Sequence, residues 1–298
     1  MKRTVTFLIA IAIASSSLMA ACGSGEPAVE QADTKGIAPT GGSGMMTGGG
    51  GAGGESGGGG DGGSSTTMDG DGDGIDDALE QTLAETYLPF LSLDPTDGCP
   101  RGGIVFRLYP HPENSAYIHI IYDHLFENDC GALNGHVGDN EVFGATIDPK
   151  VPPPAGIIAL RAVTHQGELC EKTTQCGVCP GQKACATAMK NGKDYPVVFS
   201  SKDKHASFVE QNQCMILPCG DSCALNPMDT PVILVNAGEP DKHLTENLTE
   251  NGFITEANGW SEPDLFNFNP WDPAKSFGGA GNIADDLQDN AFLTPVCP

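Results

Sequence analysis

The chain has 298 residues, of which 39% are hydrophobic and 18% are charged, so it is long enough to bury one sizeable core. It has 39 acidic residues against 15 lysines and arginines, a formal net charge of −24. Nucleic-acid binding depends on neutralising phosphates with Lys and Arg, so this charge argues against nucleic acid as a partner and favours cations such as calcium.

The first residues have the layout of an export signal. Two basic residues precede an apolar run that is shorter than the roughly 20 residues needed to cross a bilayer. The following "LMAAC" resembles the bacterial lipobox, in which the cysteine is lipidated. We therefore expect residues 1–21 to be a lipoprotein signal peptide and Cys22 to be the membrane anchor. Gly23 in place of aspartate favours the outer membrane. Cleavage of an ordinary secretory signal near Ala20 or Ala21 is the alternative.

Residues 22–68 are dominated by glycine and serine and contain almost nothing to bury. This composition predicts a flexible tether, and about 46 such residues span roughly 35 to 40 Å from end to end. Our hypothesis is that the tether holds a folded domain away from a membrane. Loss of the signal peptide would leave 13 basic and 39 acidic residues, a charge of −26.

The segment "DGDGDGIDDALE", residues 69–80, fits a calcium-binding loop with carboxylates at positions 1, 3, 5 and 12 and Gly74 at the sharp turn. Asp76 replaces the usual apolar residue at position 8, and no helix precedes the loop. The segment therefore resembles the half-hand loops of thrombospondin type 3 repeats and dockerins. The alternative is an acidic end to a solvated linker. The candidate calcium ligands are Asp69, Asp71, Asp73, Asp77 and Glu80.

An amphipathic helix is predicted after this loop, within residues 69–88. Leu79, Leu83 and Tyr87 recur every four residues, and acidic residues occupy the first turn, where the helix dipole favours them. Pro89 ends the pattern. We expect calcium to cap this helix and to fix the point at which the tether meets the domain.

Residues 89–298 are predicted to form a mainly antiparallel β-sandwich with a few peripheral helices. Segments rich in β-branched and aromatic residues alternate with Gly, Pro and Asn, and long crossover helices are absent. A short helix is expected at 284–292. The predicted strands are 103–111, 116–126, 141–147, 156–165, 195–201 and 231–238.

Ten cysteines remain after Cys22, and an exported chain favours up to five disulfides. Their connectivity does not follow from the sequence. Zinc binding by "CGVCPGQKAC" and "CGDSC" is the alternative. The candidates are Cys99, Cys130, Cys170, Cys176, Cys179, Cys185, Cys214, Cys219, Cys223 and Cys297.

The segment "GHVGDNEVF", residues 135–143, gathers His136, Asp139 and Glu141. On a strand the two acids share a face, and the histidine lies in the preceding glycine-rich turn. One imidazole and two carboxylates suit calcium, magnesium or manganese better than zinc. The alternative is a strand face whose acids meet Lys or Arg.

This segment also resembles a known motif. "GHVGDNE" resembles the Gly-His-x-x-Asp-Trp-Glu heptapeptide of the necrosis- and ethylene-inducing peptide-like (NPP1-like) proteins. It is closer to the His-x-Gly-Asp-Trp-Glu segment of the vacuolar protein sorting-associated protein 62-like family. The segments "ALRAVTHQGE", "YPVVFSSKDKHASF" and "NPWDPAKSFGG" follow in the same order, so the likeness covers roughly residues 75 to 298.

The resemblance implies a β-sandwich that holds a divalent cation at one end. His136, Asp139 and Glu141 would be ligands, with Asp129 as the upstream aspartate. Two further histidines would line the same mouth, His165 and His205. Asn140 stands where the family has tryptophan, and Val137 and Gly138 replace the Arg-His pair of the toxin branch, which puts its cytolytic function in doubt.

The preferred function is a monomeric surface lipoprotein whose sandwich is a binding or structural module for a ligand such as a lipid headgroup or a glycan. The first alternative is a metal-dependent hydrolase with His165 or His205 as general base. The second is a membrane-acting toxin. The chain lacks the Gly-x-Ser-x-Gly elbow, the His-Glu-x-x-His motif and the phosphate-binding Gly-Lys loop.

Overall fold

The architecture was analysed in a computed structural model, and all residues that it describes fall in one compact unit, Asp61–Pro298. The predicted signal peptide, the tether, Cys22 and His136 lie outside the described residues. None of the described helices has the length and apolar character that crossing a bilayer requires. The structure describes residues 69–99, 101–131, 135, 137–215, 219–230, 232–236, 283–294 and 296–297.

The described residues form two helices, ten strands and two short 3-10 helices, at Gln211–Gln213 and Asn290–Phe292. The helices are α1 (Asp77–Tyr87) and α2 (Ile283–Gln288). The strands are β1 (Phe90–Ser92), β2 (Arg101–Pro110), β3 (Ile118–Asn128), β4 (Val137–Ile147), β5 (Ile157–Thr164), β6 (Lys172–Gly177), β7 (Thr187–Lys190), β8 (Lys193–Ser200), β9 (Ser207–Phe208) and β10 (Leu234–Asn236).

The strands form two sheets, which confirms the mainly β, sandwich-like prediction. The larger sheet has the order β10-β2-β3-β4-β5-β6, and the smaller has the order β1-β8-β7 with β9 paired to β8. Most pairs are antiparallel, but β1 pairs with β8 and β10 pairs with β2 in parallel. Both parallel pairs join segments that are distant in the chain, so a search for neighbouring hairpins could not predict them.

The main core lies between the sheets. Alternate residues of β3, such as Ile120 and Tyr122, pack with Phe143 of β4 against Phe199 and Phe208 of the smaller sheet. Helix α1 closes one side of this core, and the Tyr122 hydroxyl donates a hydrogen bond to the carbonyl of its residue Ala84 (2.9 Å). The period-2 alternation of β3 therefore places one set of side chains inside and leaves the other for the outer face.

Helix α1 confirms the predicted helix but differs on its buried face. Asp76 caps it by accepting hydrogen bonds from the backbone N–H groups of Ala78 and Leu79. Leu83 and Tyr87 are buried as expected, whereas Leu79 is 49% exposed. The carboxylate of Glu80 takes the buried position in that turn. The prediction that Leu79 belongs to the buried stripe was wrong, because the loop ahead of the helix turns this part of the face toward polar partners.

A second, smaller core covers the outer face of the six-stranded sheet. Ile283 and Leu287 of α2 and Phe292 of the following 3-10 helix pack on Ile121 and Val142. The predicted helix at 284–292 is thus two short helices. The second is capped by Asp289, which accepts from the backbone N–H of Ala291 (2.7 Å).

All ten predicted cysteines form disulfides, and these tie the loops to the sheets. A thiolate is the form that binds zinc, so the zinc alternative fails for cysteines that are oxidised in pairs. The pairs are Cys99–Cys130, Cys170–Cys219, Cys176–Cys185, Cys179–Cys297 and Cys214–Cys223.

Candidate functional site

The loop before α1 folds around its own carboxylates. Ligand oxygens of Asp69, Asp71 and Asp73 lie within 4.8 Å of one another. Asp69 accepts hydrogen bonds from the backbone N–H groups of Gly72 (2.7 Å) and Gly74 (3.1 Å). Gly74 has φ 96°, a left-handed conformation that favours glycine, so the sharp turn lies where the loop pattern predicts it. The loop therefore directs several oxygens toward one small volume.

Glu80 brings a buried carboxylate to this loop from the first turn of α1. It is 1% exposed, and its Oε2 accepts a hydrogen bond from the side chain of Asn236 (2.5 Å). Its Oε1 is buried without a hydrogen-bond partner among the described residues. Burial, followed by the neighbouring acids Asp71, Asp73 and Asp77, raises the pKa of Glu80 to about 8. A group of this kind is costly to bury in its charged form unless a cation joins it.

Two further acids of the loop, Asp73 and Asp77, also contact its backbone. Asp73 accepts a hydrogen bond from the backbone of Ile75 (2.7 Å), but its Oδ2 is buried without a hydrogen-bond partner in the described part of the chain. Burial raises the pKa of Asp73 to about 6. Asp77 accepts from the backbone N–H of Gly70 (2.9 Å) and so draws the start of the loop toward the helix.

A second acidic site lies between the sheets at one end of the sandwich. Asp139 and Glu141 project from the same face of β4, and Asp139 is 2% exposed. His205, from the turn between β8 and β9, places its Nδ1 2.7 Å from Asp139 and its Nε2 3.4 Å from Asp97. The Phe126 ring stacks on this imidazole with centroids 3.8 Å apart. His205 is thus hydrogen-bonded at Nδ1, lies within ion-pair distance of Asp97 at Nε2, and is stacked on one ring face.

The two flanking carboxylates set the charge of His205. Burial opposes its protonation, but the hydrogen bond with Asp139 and the ion pair with Asp97 raise the pKa of His205 to about 9. The residue also has φ 55°, a strained conformation for histidine that the surrounding contacts maintain. At neutral pH the site therefore contains an imidazolium between two carboxylates.

Glu141 lies next to this ion pair and accepts a hydrogen bond from the backbone N–H of Ser207 (3.3 Å). Burial, followed by the nearby carboxylates of Asp139 and Asp221, raises its pKa well above the usual range. Among the described residues, no set of three free His, Cys, Asp or Glu side chains surrounds Asp139 and Glu141 at ligand spacing. The expected third ligand, His136, lies outside the described residues.

Asp129, the expected upstream ligand, is 8% exposed and accepts a hydrogen bond from Lys204 (2.8 Å). Gly135 packs on the same segment, because a Cβ added there would lie 2.7 Å from the carbonyl oxygen of Asp129. The residue that precedes His136 is therefore next to Asp129, although the carboxylate of Asp129 already has a basic partner.

His165, at the end of β5, forms a pair that the sequence did not indicate. Its Nε2 is 2.7 Å from Asp221, whose other oxygen accepts a hydrogen bond from the Ser201 hydroxyl (2.9 Å). The Cys170–Cys219 disulfide explains this pairing, since it joins the segment after His165 to the segment just before Asp221. The Cys99–Cys130 disulfide likewise includes a cysteine two positions after Asp97, the partner of His205. Knowledge of the disulfide connectivity would have been needed to predict Asp97 and Asp221 as partners of the two histidines.

Comparisons with known proteins add little to this geometry. No family model and no curated protein matches the chain. Among solved structures, the chain is similar to "Toxin fold for microbial attack and plant defense", with 15% identity over 67% of this chain and 82% of that chain and a TM-score of 0.34. It is also similar to "NLPPya in complex with glucosamine" (14% identity, 66% and 81% covered, TM-score 0.34) and "NLPPya in complex with mannosamine" (16%, 66% and 81%, TM-score 0.33). These are toxin-fold proteins of the necrosis- and ethylene-inducing peptide-like group. Such low scores carry no argument about function, which must come from the sites.

Proposed function

We propose that this protein is a cell-surface lipoprotein whose β-sandwich binds divalent cations and serves as a binding or structural module. Calcium is the cation that we assign to the loop Asp69–Glu80. The observation that most supports this proposal is the buried Glu80, which directs a carboxylate without a hydrogen-bond partner on one oxygen toward an acidic loop. A bound cation would neutralise that charge.

The donor set favours calcium over smaller ions. Every candidate ligand in the loop is an oxygen, and calcium accepts 6 to 8 oxygens at about 2.3–2.6 Å in irregular geometry. Magnesium requires a near-ideal octahedron and releases its water reluctantly. An acidic loop with irregular backbone and a glycine at its sharp turn suits the variable coordination of calcium better than the octahedron of magnesium.

Cation binding in this loop would also stabilise the fold around it. Glu80 contacts Asn236 at the end of β10, and the neighbouring Gln81 donates a hydrogen bond to the carbonyl of Leu234 (3.0 Å). The loop, helix α1 and the edge strand of the larger sheet are thus joined at one point. We infer that calcium organises this junction, where the tether would enter the domain.

Isothermal calorimetry of the purified chain with calcium and with magnesium tests this proposal. Substitution Glu80→Gln keeps the size of the side chain but removes its charge, and we expect it to weaken calcium binding by about tenfold or more, about 1.4 kcal/mol. Glu85→Gln is the matched control, because Glu85 is an exposed acid on the same helix. The assignment is wrong if the wild type binds no calcium or if both variants bind it equally.

The sandwich end is the place at which we expect a further ligand. Asp139, Glu141 and the protonated His205 offer both signs of charge in a small space, which suits a polar, oxygen-rich group such as a glycan or a lipid headgroup. A second divalent ion, calcium, magnesium or manganese, would bind the two carboxylates if His136 joins them. Titration of Asp139→Asn beside the wild type tests this, because only the second binding event should disappear.

Anchoring through Cys22 and the tether of residues 22–68 is the second part of the proposal. It rests on the lipobox-like sequence and on the oxidised state of all ten remaining cysteines, which is typical of exported proteins. Metabolic labelling with a radioactive fatty acid in a bacterial host should mark the wild type and not Cys22→Ser. Equal labelling of the two chains, or none, would overturn the anchor.

A metal-dependent hydrolase is the second candidate function, and the His165–Asp221 pair favours it. A carboxylate that fixes the orientation of an imidazole is a common arrangement for a general base. His205 is less suitable, because both of its nitrogens are engaged and it is protonated at neutral pH. A divalent ion on Asp139 and Glu141 would lower the pKa of a bound water, and His165 would accept its proton.

Hydrolysis of a chromogenic phosphodiester and a chromogenic ester with calcium, magnesium or manganese tests the enzyme hypothesis. We expect His165→Ala to reduce any turnover by about 100-fold, a typical contribution of a general base. Asp221→Asn should shift the pH optimum as well as the rate. No turnover with any of the ions, or turnover that is independent of His165, would leave the binding module as the better proposal.

A further inference from the structure

Three polar side chains form a buried cluster on the outer face of the six-stranded sheet. They are Asp123 on β3, Asn140 on β4 and Asp286 on α2, and they are 0%, 3% and 7% exposed. The Asn140 side chain donates to Asp286 at 2.6 Å and to Asp123 at 3.2 Å. A single amide group therefore bridges two carboxylates, one on the sheet and one on the C-terminal helix that covers it.

Among the described residues, the charges around this cluster do not balance it. Asp285 and Asp289, on α2 and in the turn after it, act on Asp286. Asp139 and Glu141 project from the opposite face of β4 but are close enough to interact electrostatically with Asp123. The two arginines on this face of the sheet have other contacts. Arg161 on β5 donates to the carbonyls of Ala291 and Leu293, and Arg107 on β2 lies over the Tyr109 ring.

One oxygen of the pair, Asp123 Oδ1, is buried without a hydrogen-bond partner among the described residues. Two buried carboxylates that lie on either side of one amide nitrogen, at 2.6 and 3.2 Å from it, cannot both be ionised without a large cost. The neighbouring contacts are apolar, because Ile283 and Leu287 of α2 pack on Ile121 and Val142 around the cluster. A proton on the pair would remove the repulsion.

We propose that the two carboxylates bridged by Asn140, Asp123 and Asp286, retain a proton between them as a pair, and that this protonation stabilises the docking of α2 on the outer face of the sheet. The C-terminal helix then docks more tightly in acid than in alkaline solution. The proposal concerns a different face of the sheet from the sandwich-end site and does not depend on the function proposed above.

The pH range follows from the direction of the shifts. Burial raises the pKa of Asp123 well above its usual range, and burial with Asp285 and Asp289 raises the pKa of Asp286 to about 7. The unfolded values lie near 4, so the folded state retains a proton that the unfolded state has lost. Stability is therefore greatest at acid pH and decreases as the pH rises through about 7. The Cys179–Cys297 disulfide keeps the end of the chain attached in both states, so the change is confined to α2 and its flanks.

Hydrogen exchange of the amides in residues 284–294 of the whole chain, at pH 5.5 and pH 8.5 and corrected for intrinsic rates, tests the proposal. We expect protection in the wild type to be about tenfold lower at pH 8.5, since one proton is linked to docking. Asp123→Asn replaces a carboxylate by a neutral group of the same shape, so it should make the difference in protection between the two pH values clearly smaller. The exposed Asp194→Asn is the control and should behave as the wild type.

Asp286→Asn is the second variant, in case the change at Asp123 prevents folding, and it should reduce the pH dependence in the same way. Equal protection of the wild type at both pH values would overturn the proposal. So would a pH dependence that is as large in both Asn variants as in the wild type. Restoration of protection by millimolar calcium at pH 8.5 in the wild type alone would assign the pair to a cation instead, and would equally overturn it.

Discussion

The calcium-type loop and the sandwich end are built from the same residue types but differ in how their acids are neutralised. At the sandwich end, Asp139 and Asp97 flank a protonated His205. In the loop, Asp69 accepts from backbone N–H groups, and Glu80 accepts from an amide while its other oxygen has no hydrogen-bond partner in the described chain. In the described part of the chain, the sandwich end thus pairs its acids with a histidine cation, whereas the buried Glu80 of the loop has only a neutral amide as its partner.

This difference shows why a cluster of acids in a sequence does not define a metal site by itself. Both segments fit a cation equally well when only the spacing of carboxylates is counted. The distinction lies in partners that come from distant parts of the chain, such as His205 for Asp139 and Asn236 for Glu80. The comparison predicts that the sandwich end is sensitive to loss of its histidine and the loop is sensitive to loss of its cation.

The largest expected effect is at His205. Substitution His205→Asn should destabilise the protein by about 3–5 kcal/mol, because removal of one member of a buried ion pair leaves the other charges uncompensated. Asn tolerates the left-handed backbone at φ 55°, so strain does not explain the loss. Urea unfolding followed by circular dichroism measures the change. The exposed Lys193→Ala is the control, and a loss below about 1 kcal/mol would show that the pair is not what holds this end together.

Calcium should have the next largest effect. At a calcium concentration of 100 to 1,000 times Kd, binding to the folded state alone stabilises by about 3–4 kcal/mol, and chelation should remove this gain. Differential scanning calorimetry with and without a chelator measures it as a fall in Tm. The fall should be absent in Glu80→Gln and intact in Asp139→Asn. The opposite pattern would mean that the sandwich end, and not the loop, is the calcium site.

The smallest expected effect comes from a substitution that changes the backbone conformation of the loop but not its charge. Gly74→Ala should destabilise the calcium-bound protein by about 1–3 kcal/mol, since φ 96° is strained for any residue with a Cβ. A Cβ at this position meets nothing within 4 Å, so crowding is not the cause. Gly98→Ala is the matched control, because a Cβ there also meets nothing and the backbone is not left-handed. Equal Tm values for the two variants would show that the turn is not needed for the loop.

Local patterns predicted a large part of the fold and of the loop. The repeat of glycine and aspartate placed the turn at Gly74, and the acidic residues after it marked the first turn of α1, although the role of Asp76 as the cap is a finding of the structure. The strand predicted at 116–126 corresponds to β3, and its alternation places Ile120 and Tyr122 in the core. These features depend on backbone preferences and on side chains within a few positions of one another, so the sequence contains the information directly.

Predictions were wrong, or could not be made, where the position or partner of a residue depended on residues far away in the chain. Leu79 was expected in the core but is exposed, because Glu80 faces a partner 156 positions away. Asp97 and Asp221 were not identified, since the disulfides Cys99–Cys130 and Cys170–Cys219 lie beside them and their connectivity does not follow from spacing. Asn140 was noted only as a departure from a family motif, although it bridges Asp123 and Asp286.

The sequence by itself determined the secondary structure of the main strands, the helix after the acidic loop and the pairing of every predicted cysteine with another. The period of the hydrophobic residues, the capping residues and an even number of cysteines in an exported chain are local or compositional properties. They can be read from the sequence without knowing which distant residues are in contact. Only the tertiary structure decided which acids acquire a positive partner. Charge neutralisation in a low-dielectric interior depends on which side chains lie next to each other in the folded protein. His205 and Asp139, for example, are 66 residues apart in the chain and are brought together by the packing of the two sheets.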